Sequence, residues 1–228
     1  MAFFYSPNVV TDGLVFAVDA ANKKSYPGSG TTWTDLIAGV NGSLINGPTY
    51  SSSNCGLIIT DGSDDAINFD SFASSFPVLE GTVCVFVKLT NLSGDADLIA
   101  SLRVNSSNNI EIYQHTGYIR LKYKAGGTTK EISISTSSFS TSSFYMLTLT
   151  FSSSGNKVEA YVNGVSQGSA TSLGTWSGTP VDWGFAANTS TLGNNQAMQL
   201  SSSRVYNRAL SVSEVLQNYN ALKGRFGL

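Results

Sequence analysis

Apolar and polar residues alternate through most of this 228-residue chain. Ile119, Leu121 and Tyr123 fall on one side of an extended segment, and Arg120, Lys122 and Lys124 fall on the other. A period of two marks a half-buried strand. The pattern returns at Ile132 and Ile134 against Glu131, Ser133 and Ser135, and at Val158, Ala160 and Val162 against Lys157, Glu159 and Tyr161. Leu147, Leu149 and Phe151 are expected to point inward from a strand over 146–151. Further strands are expected over 14–18, 57–59, 66–69, 82–89, 98–104, 109–114, 181–185 and 198–206. Asn163-Gly164 supplies the two positive-φ positions of a type I′ hairpin turn, residues 152–156 read as a longer hairpin loop, and Gly126-Gly127 as further turn punctuation. Short strands with regular turns and no interleaved helices predict an all-β, antiparallel two-sheet sandwich.

One helix breaks the pattern, over about 211–223. Ser211-Val212-Ser213-Glu214 is a capping box, in which the serine hydroxyl accepts from the Glu214 amide and the glutamate reaches back. Val212, Val215, Leu216, Tyr219 and Leu222 form an apolar stripe at helical spacing, with Gly224 as the expected stop. That stripe is expected to cover an end of the sandwich. No internal repeat or linker divides the chain, so the expected organisation is an N-terminal arm over 1–12 and one domain over 13–228.

Composition narrows the function classes. Charged residues make up 12% of the chain, against roughly 25% in an average soluble protein, so Ser, Thr, Asn and Gly must build much of the surface. The net charge of −2 lacks the basic stripe that phosphate neutralisation requires. Arg120, Lys122 and Lys124 are bounded by Glu111 and Glu131 and read as one strand's wet face. Nucleic acid is therefore not an expected partner. Nor is a membrane, since no apolar run approaches the roughly 20 residues of a span. The start, Met1-Ala2-Phe3-Phe4-Tyr5-Ser6-Pro7, has no basic region and a proline too early for a signal peptide. Two cysteines, Cys55 and Cys84, are too few for a disulfide framework. Reduced thiols in a cytoplasm are expected.

Four motifs in order resemble the laminin-G-like branch of the concanavalin A-like lectin/glucanase jelly rolls. They are Asp61-Gly62-Ser63-Asp64-Asp65-Ala66-Ile67, the strand Gly81-Thr82-Val83-Cys84-Val85-Phe86-Val87-Lys88, the hairpin from Phe144 to Phe151 and on through Val158 to Asn163-Gly164, and Arg204-Val205-Tyr206-Asn207-Arg208-Ala209-Leu210-Ser211 with Glu214. The resemblance spans 13–222 and implies a concanavalin A-like sandwich with one short C-terminal helix. Asp12-Gly13-Leu14-Val15, Asp19-Ala20-Ala21-Asn22, Ser25-Tyr26-Pro27-Gly28 and Trp33 resemble the opening of jelly rolls in tailed-bacteriophage virions, and residues 218–227 resemble their closing. What this implies is a non-enzymatic virion structural protein (capsid decoration or cement, head fibre, or neck or tail component) assembled in the host cytoplasm. Its expected partners are other virion proteins, met through protein–protein contacts. Free sheet edges admit a homo-oligomer.

The candidate chemistry is sparse. Gly164-Val165-Ser166-Gln167-Gly168 fits G-x-S-x-G, but that serine motif belongs on a strand-to-helix elbow, and here it follows a hairpin turn. The only histidine, His115, reads as an exposed strand-end residue. The glycosidases among the resembling sandwiches carry E-x-D-x-E on one strand face, and no such triplet occurs here; no catalytic residue is expected. Asp61, Asp64 and Asp65 are the candidate calcium ligands, as in some laminin-G-like relatives, but they supply only part of the roughly six to eight oxygens calcium takes. Neither a bound metal nor any other cofactor is expected. The alternative function is carbohydrate recognition at a host surface. Its candidate site is Trp176 between glycines on a loop, with Trp183, Asn188, Asn194 and Asn195 near in sequence. Phe3, Phe4 and Tyr5, ahead of the sandwich, are candidates for an assembly arm.

Overall fold

A computed structural model describes residues 7–228, so Phe3, Phe4 and Tyr5 lie outside the described residues. In chain order the strands are β1 (Leu14–Asp19), β2 (Thr32–Thr34), β3 (Asn41–Ile45), β4 (Thr49–Ser51), β5 (Leu57–Asp61), β6 (Ala66–Asn68), β7 (Glu80–Leu89) and β8 (Asp97–Asn105). There follow β9 (Asn108–His115), β10 (Tyr118–Ala125), β11 (Thr128–Ser135), β12 (Tyr145–Ser152), β13 (Lys157–Val162), β14 (Val165–Thr171), β15 (Asp182–Phe185) and β16 (Ala197–Tyr206). Two α-helices complete the set, α1 (Asp70–Ala73) and α2 (Val212–Leu222). None of the described helices is long and apolar enough to cross a membrane.

The strands form two antiparallel sheets of eight. The first runs β14-β13-β12-β7-β16-β5-β4, with β1 also on β16, and the second runs β11-β10-β9-β8-β15-β6-β3-β2. A register shift between Leu200 and Ser202 lets β16 serve two partners, β5 with its first half and β1 with its second. Hairpins follow the turn chemistry: Asn163 and Gly164 have φ of 53° and 80°, and Gly126 and Gly127 have 54° and 82°. Short strands at 32–34, 41–45 and 49–51 were not legible as alternation, and the serine motif enters edge strand β14 directly after the Asn163-Gly164 turn.

Between the sheets lies the main core, where Val83, Val85 and Val87 of β7 and Leu147, Leu149 and Phe151 of β12 face Ile110, Ile112, Ile119 and Leu121 of the second sheet. Its wider half is aromatic: Phe16, Phe69, Phe72, Phe76, Trp183 and Phe185 meet at centroid distances of 4.9–6.1 Å, an arrangement favoured by edge-to-face electrostatics. Trp33 is fully buried there too.

A second apolar cluster corrects the expected place of the helix. Cys84 and Phe86, the residues of β7 that alternate with the core valines, join Met146, Tyr161 and Tyr206 on the outer face of the first sheet, and Val215 and Leu222 of α2 pack onto them. The helix therefore covers a sheet face, not an end, and the molecule has three layers. Asn218 fastens it: its Oδ1 accepts from the Val10 amide at 2.8 Å, its Nδ2 donates to the Tyr206 hydroxyl at 3.0 Å, and that hydroxyl donates to the Val10 carbonyl. Val10, inside the stretch assigned to an arm, is thus buried against the domain. The capping box at Ser211 and Glu214 forms as expected. Gly224 does not stop the helix, which runs on as a 3-10 turn over Lys223–Phe226 and ends at Gly227 with φ 70°. Phe226 returns to stack on Phe86 at 4.4 Å. On the other flank Gly164, with its positive φ, lets β14 approach Leu216: a Cβ there would stand 2.9 Å from that side chain.

Candidate functional site

Among the described residues no helix covers the outer face of the second sheet. Register places its outward side chains in rows across the strands. Arg103 of β8, Asn109 of β9 and Lys124 of β10 form one row. Ser101, Glu111, Lys122 and Glu131 form the next, and Tyr113 and Arg120 lie in the one after. Each row alternates opposite charges or polar groups, as directly opposed cross-strand neighbours favour. Glu111 is bonded by Lys122 and has Arg103 at 3.8 Å. Glu131 accepts from Arg120 at 3.0 Å and from the Tyr113 hydroxyl at 2.5 Å. Burial, and secondly that bond to Glu131, push the Tyr113 hydroxyl well above the usual phenol range, so it stays a donor. Lys122 also lies over the Tyr113 ring at 4.9 Å.

These residues surround a depression of about 260 Å³ lined by Arg103, Asn109, Glu111, Tyr113, Lys122 and Lys124, with Leu98 and Asn194 at its rim. Lys124 is in no ion pair among the described residues. Asn109 is 3% exposed; its Nδ2 donates to the Asn105 carbonyl while its Oδ1 accepts nothing. A buried acceptor without a partner costs free energy unless something supplies a donor. The surface is thus polar, pre-arranged by ion pairs and short of one donor.

The residues chosen from sequence are mostly elsewhere. Trp183 is 1% exposed within the aromatic core, so it offers no platform to a ligand. Trp176 is 9% exposed, packs on Tyr123 at 5.8 Å and donates to the Gly178 carbonyl at 3.1 Å. Its loop crosses from one sheet to the other, and the indole closes the core at that crossing; the expected exposed tryptophan is corrected. Asn188 is buried and its Oδ1 is consumed by Ser190 and Thr191 of its own turn. Asn195 donates to the Asp65 carbonyl. Of the five, only Asn194 reaches the depression. Lys122, Lys124 and Glu111 were visible in the sequence but read as a solvated face, because alternation says which side chains share a side and not which strands lie next to each other.

Asp61, Asp64 and Asp65 do converge, with one carboxylate oxygen from each within 4.8 Å of the others. Asp61 ends β5, and Asp64 and Asp65 follow on the bend that leads to β6, where strand alternation does not apply. The Asp65 carboxylate is occupied by the Asp61 amide at 3.0 Å, and that of Asp61 by the Ser63 amide at 2.8 Å. Burial, then the Asp61 and Asp64 charges, raise Asp65, against the lowering effect of that amide. Ser166 donates to Glu159 at 2.6 Å on the first sheet's edge, while His115 pairs with Asp95 at the end of β9 in the second sheet. The serine and the histidine are therefore not partners. Cys55 is exposed and Cys84 buried, both free, and burial pushes the Cys84 thiol up to about 11.

Two packed antiparallel sheets of jelly-roll type define the fold class, and sequence agrees. The profile of the concanavalin A-like lectin/glucanases superfamily matches residues 61–216, and the chain belongs to that family. No curated protein gives a significant sequence match. Among solved structures, the chain is similar to Trypanosoma rangeli sialidase in complex with sialic acid, at 15% identity and a TM-score of 0.68, over 96% of this chain and 34% of the enzyme. It is similar to the binding domain of Paraclostridial Mosquitocidal Protein 1, at 16% identity and 0.68, over 92% of this chain and 52% of that one. The receptor binding domain of botulinum neurotoxin type G gives 14% and 0.66, over 91% and 51%. The chain thus spans a third to a half of these structures' lengths, and the likeness is one of fold.

Proposed function

We propose that this chain is a non-catalytic recognition module whose ligand, a surface saccharide, lies on the outer face of the second sheet. The observation that carries the reading is the contrast in lining: α2 covers part of the first sheet's outer face beside a largely apolar depression, while the second sheet's outer face holds a polar one lined by Arg103, Asn109, Glu111, Lys122 and Lys124. The Lys122–Glu111 ion pair fixes two of these groups before a ligand arrives, which lowers the ordering cost of binding. The binding domains among the similar folds support the same class. Glycosidic-bond cleavage needs one carboxyl free to protonate the leaving oxygen; Glu111 and Glu131, on either side of Lys122, are each matched with a cation, which supports the non-enzymatic reading.

A glycan array probed with the purified chain tests the module. Binding is expected, and Arg103→Ala is expected to weaken it about tenfold, the scale of one lost charged hydrogen bond. A silent array, or binding indifferent to Arg103→Ala, ends this reading. The resemblance of residues 12–33 and 218–227 to virion jelly rolls supports a phage particle as the setting, with other faces held by virion proteins. Mass spectrometry of purified particles tests that setting, and absence of the chain from them removes it.

A further inference from the structure

We infer that the ligand of this face is an acidic saccharide, one whose carboxylate or sulfate lies beside a free hydroxyl; the inference rests on the recognition reading above. The face is positive in a chain whose net charge is −2. Arg103, Arg120, Lys122 and Lys124 stand against Glu111, Glu131 and Asp182. Asp182, the register partner of Arg103 on β15, does not line the depression. After the ion pairs are formed, the unspent positive charge lies in the row Arg103–Asn109–Lys124, where Arg103 has the 3.8 Å contact to Glu111 and the Asp182 charge beside it, and Lys124 has no carboxylate partner among the described residues.

In the middle of that row is the unfilled Asn109 Oδ1, 3% exposed and lining the same depression. Two cations flanking an acceptor that lacks a donor describe one ligand chemistry: an anionic group for Arg103 and Lys124, and an adjacent O–H for Asn109. A uronic acid or a sulfated sugar carries both on neighbouring carbons. A plain inorganic anion would leave Asn109 unsatisfied, and a neutral sugar would leave Lys124 without a counter-charge. The depression is open and shallow in its lining, which suits a pyranose lying on a sheet better than an extended peptide, since β8, β9 and β10 are interior strands with no free edge to pair with.

The test is the array carried one step further, with polyuronate and sulfated oligosaccharides beside their neutral counterparts. Acidic members should bind, methyl-esterification of a bound uronate should abolish its signal, and affinity should fall as ionic strength rises. Lys124→Gln should weaken acidic binding about three- to fivefold, the range of a partly exposed charge pair, and Asn109→Leu should weaken it while circular dichroism reports a folded chain. Binding of neutral sugars only, still dependent on Arg103, overturns the acidic inference and leaves the recognition module standing. An array silent for every sugar overturns both. Poly-glutamate binding as tightly as the uronate, or acidic binding unchanged in Lys124→Gln and Asn109→Leu alike, overturns the saccharide assignment to this row.

Discussion

The two outer faces of this sandwich are built from the same kind of alternating strand and end in opposite states. On the first sheet the outward positions include Cys84, Phe86, Met146, Tyr161 and Tyr206, and these are buried in one cluster with α2 and Phe226. On the second sheet they include Arg103, Asn109, Glu111, Lys122 and Lys124, which line an open depression. Only one face of a sheet has to be dry for folding, so a second dry face signals a third layer and a polar one is free to recognise. The difference teaches where to look for stability and where to look for binding, and it predicts that substitutions on the two faces separate these properties.

The largest effect is expected on the covered face. Phe86 stacks on Phe226 at 4.4 Å and lies parallel to Tyr219 at 6.5 Å. Phe86→Ala should cost about 3–5 kcal/mol in urea unfolding, while the folded fraction keeps its ligand affinity. A loss of affinity without a loss of stability would break the division of labour. Next comes Asn218→Ala, which leaves the Val10 amide without an acceptor and the Tyr206 hydroxyl without its donor, and should cost about 1–3 kcal/mol. Both should lower the midpoint of the same cooperative transition if α2 and the sandwich are one unit.

A smaller effect concerns pH. The Arg208 guanidinium bonds both oxygens of Glu214, at 3.0 and 2.6 Å, and holds its carboxyl at about 2. A folded-state value below the unfolded one of roughly 4.3 means the contribution is complete above that value and is lost as pH falls through the window down to about 2. Glu214→Gln should flatten the stability profile in that window and nowhere above it. Smallest of all, Lys124→Gln on the open face should shift stability by under about 0.5 kcal/mol while it reduces acidic-ligand binding. A stability loss as large as that of Asn218→Ala would mean the open face is structural.

How much of this was readable beforehand follows the range of the forces involved. Ile119, Leu121 and Tyr123 announced their strand because alternation is local, and Ser211 with Glu214 announced the helix start because a cap is made within one turn. Gly224 misled because composition marks where a helix is allowed to end; Phe226 packing on Phe86 carries the chain one turn further. Strands as short as Thr32–Thr34 have too few residues to show a period. Trp176 between two glycines looked exposed, yet burying its large ring against Tyr123 outweighs the freedom of the loop.

The chain alone therefore determined the all-β sandwich, its family and the single C-terminal helix, since periodicity, turn residues and caps act between neighbours in sequence. The site was decided only in three dimensions. Arg103, Asn109 and Lys124 come from three different strands, and nothing local states that they share a row. Strand register and the choice of face for α2 are set by long-range packing, and those two decisions leave one polar face open and supply its unpaired charges.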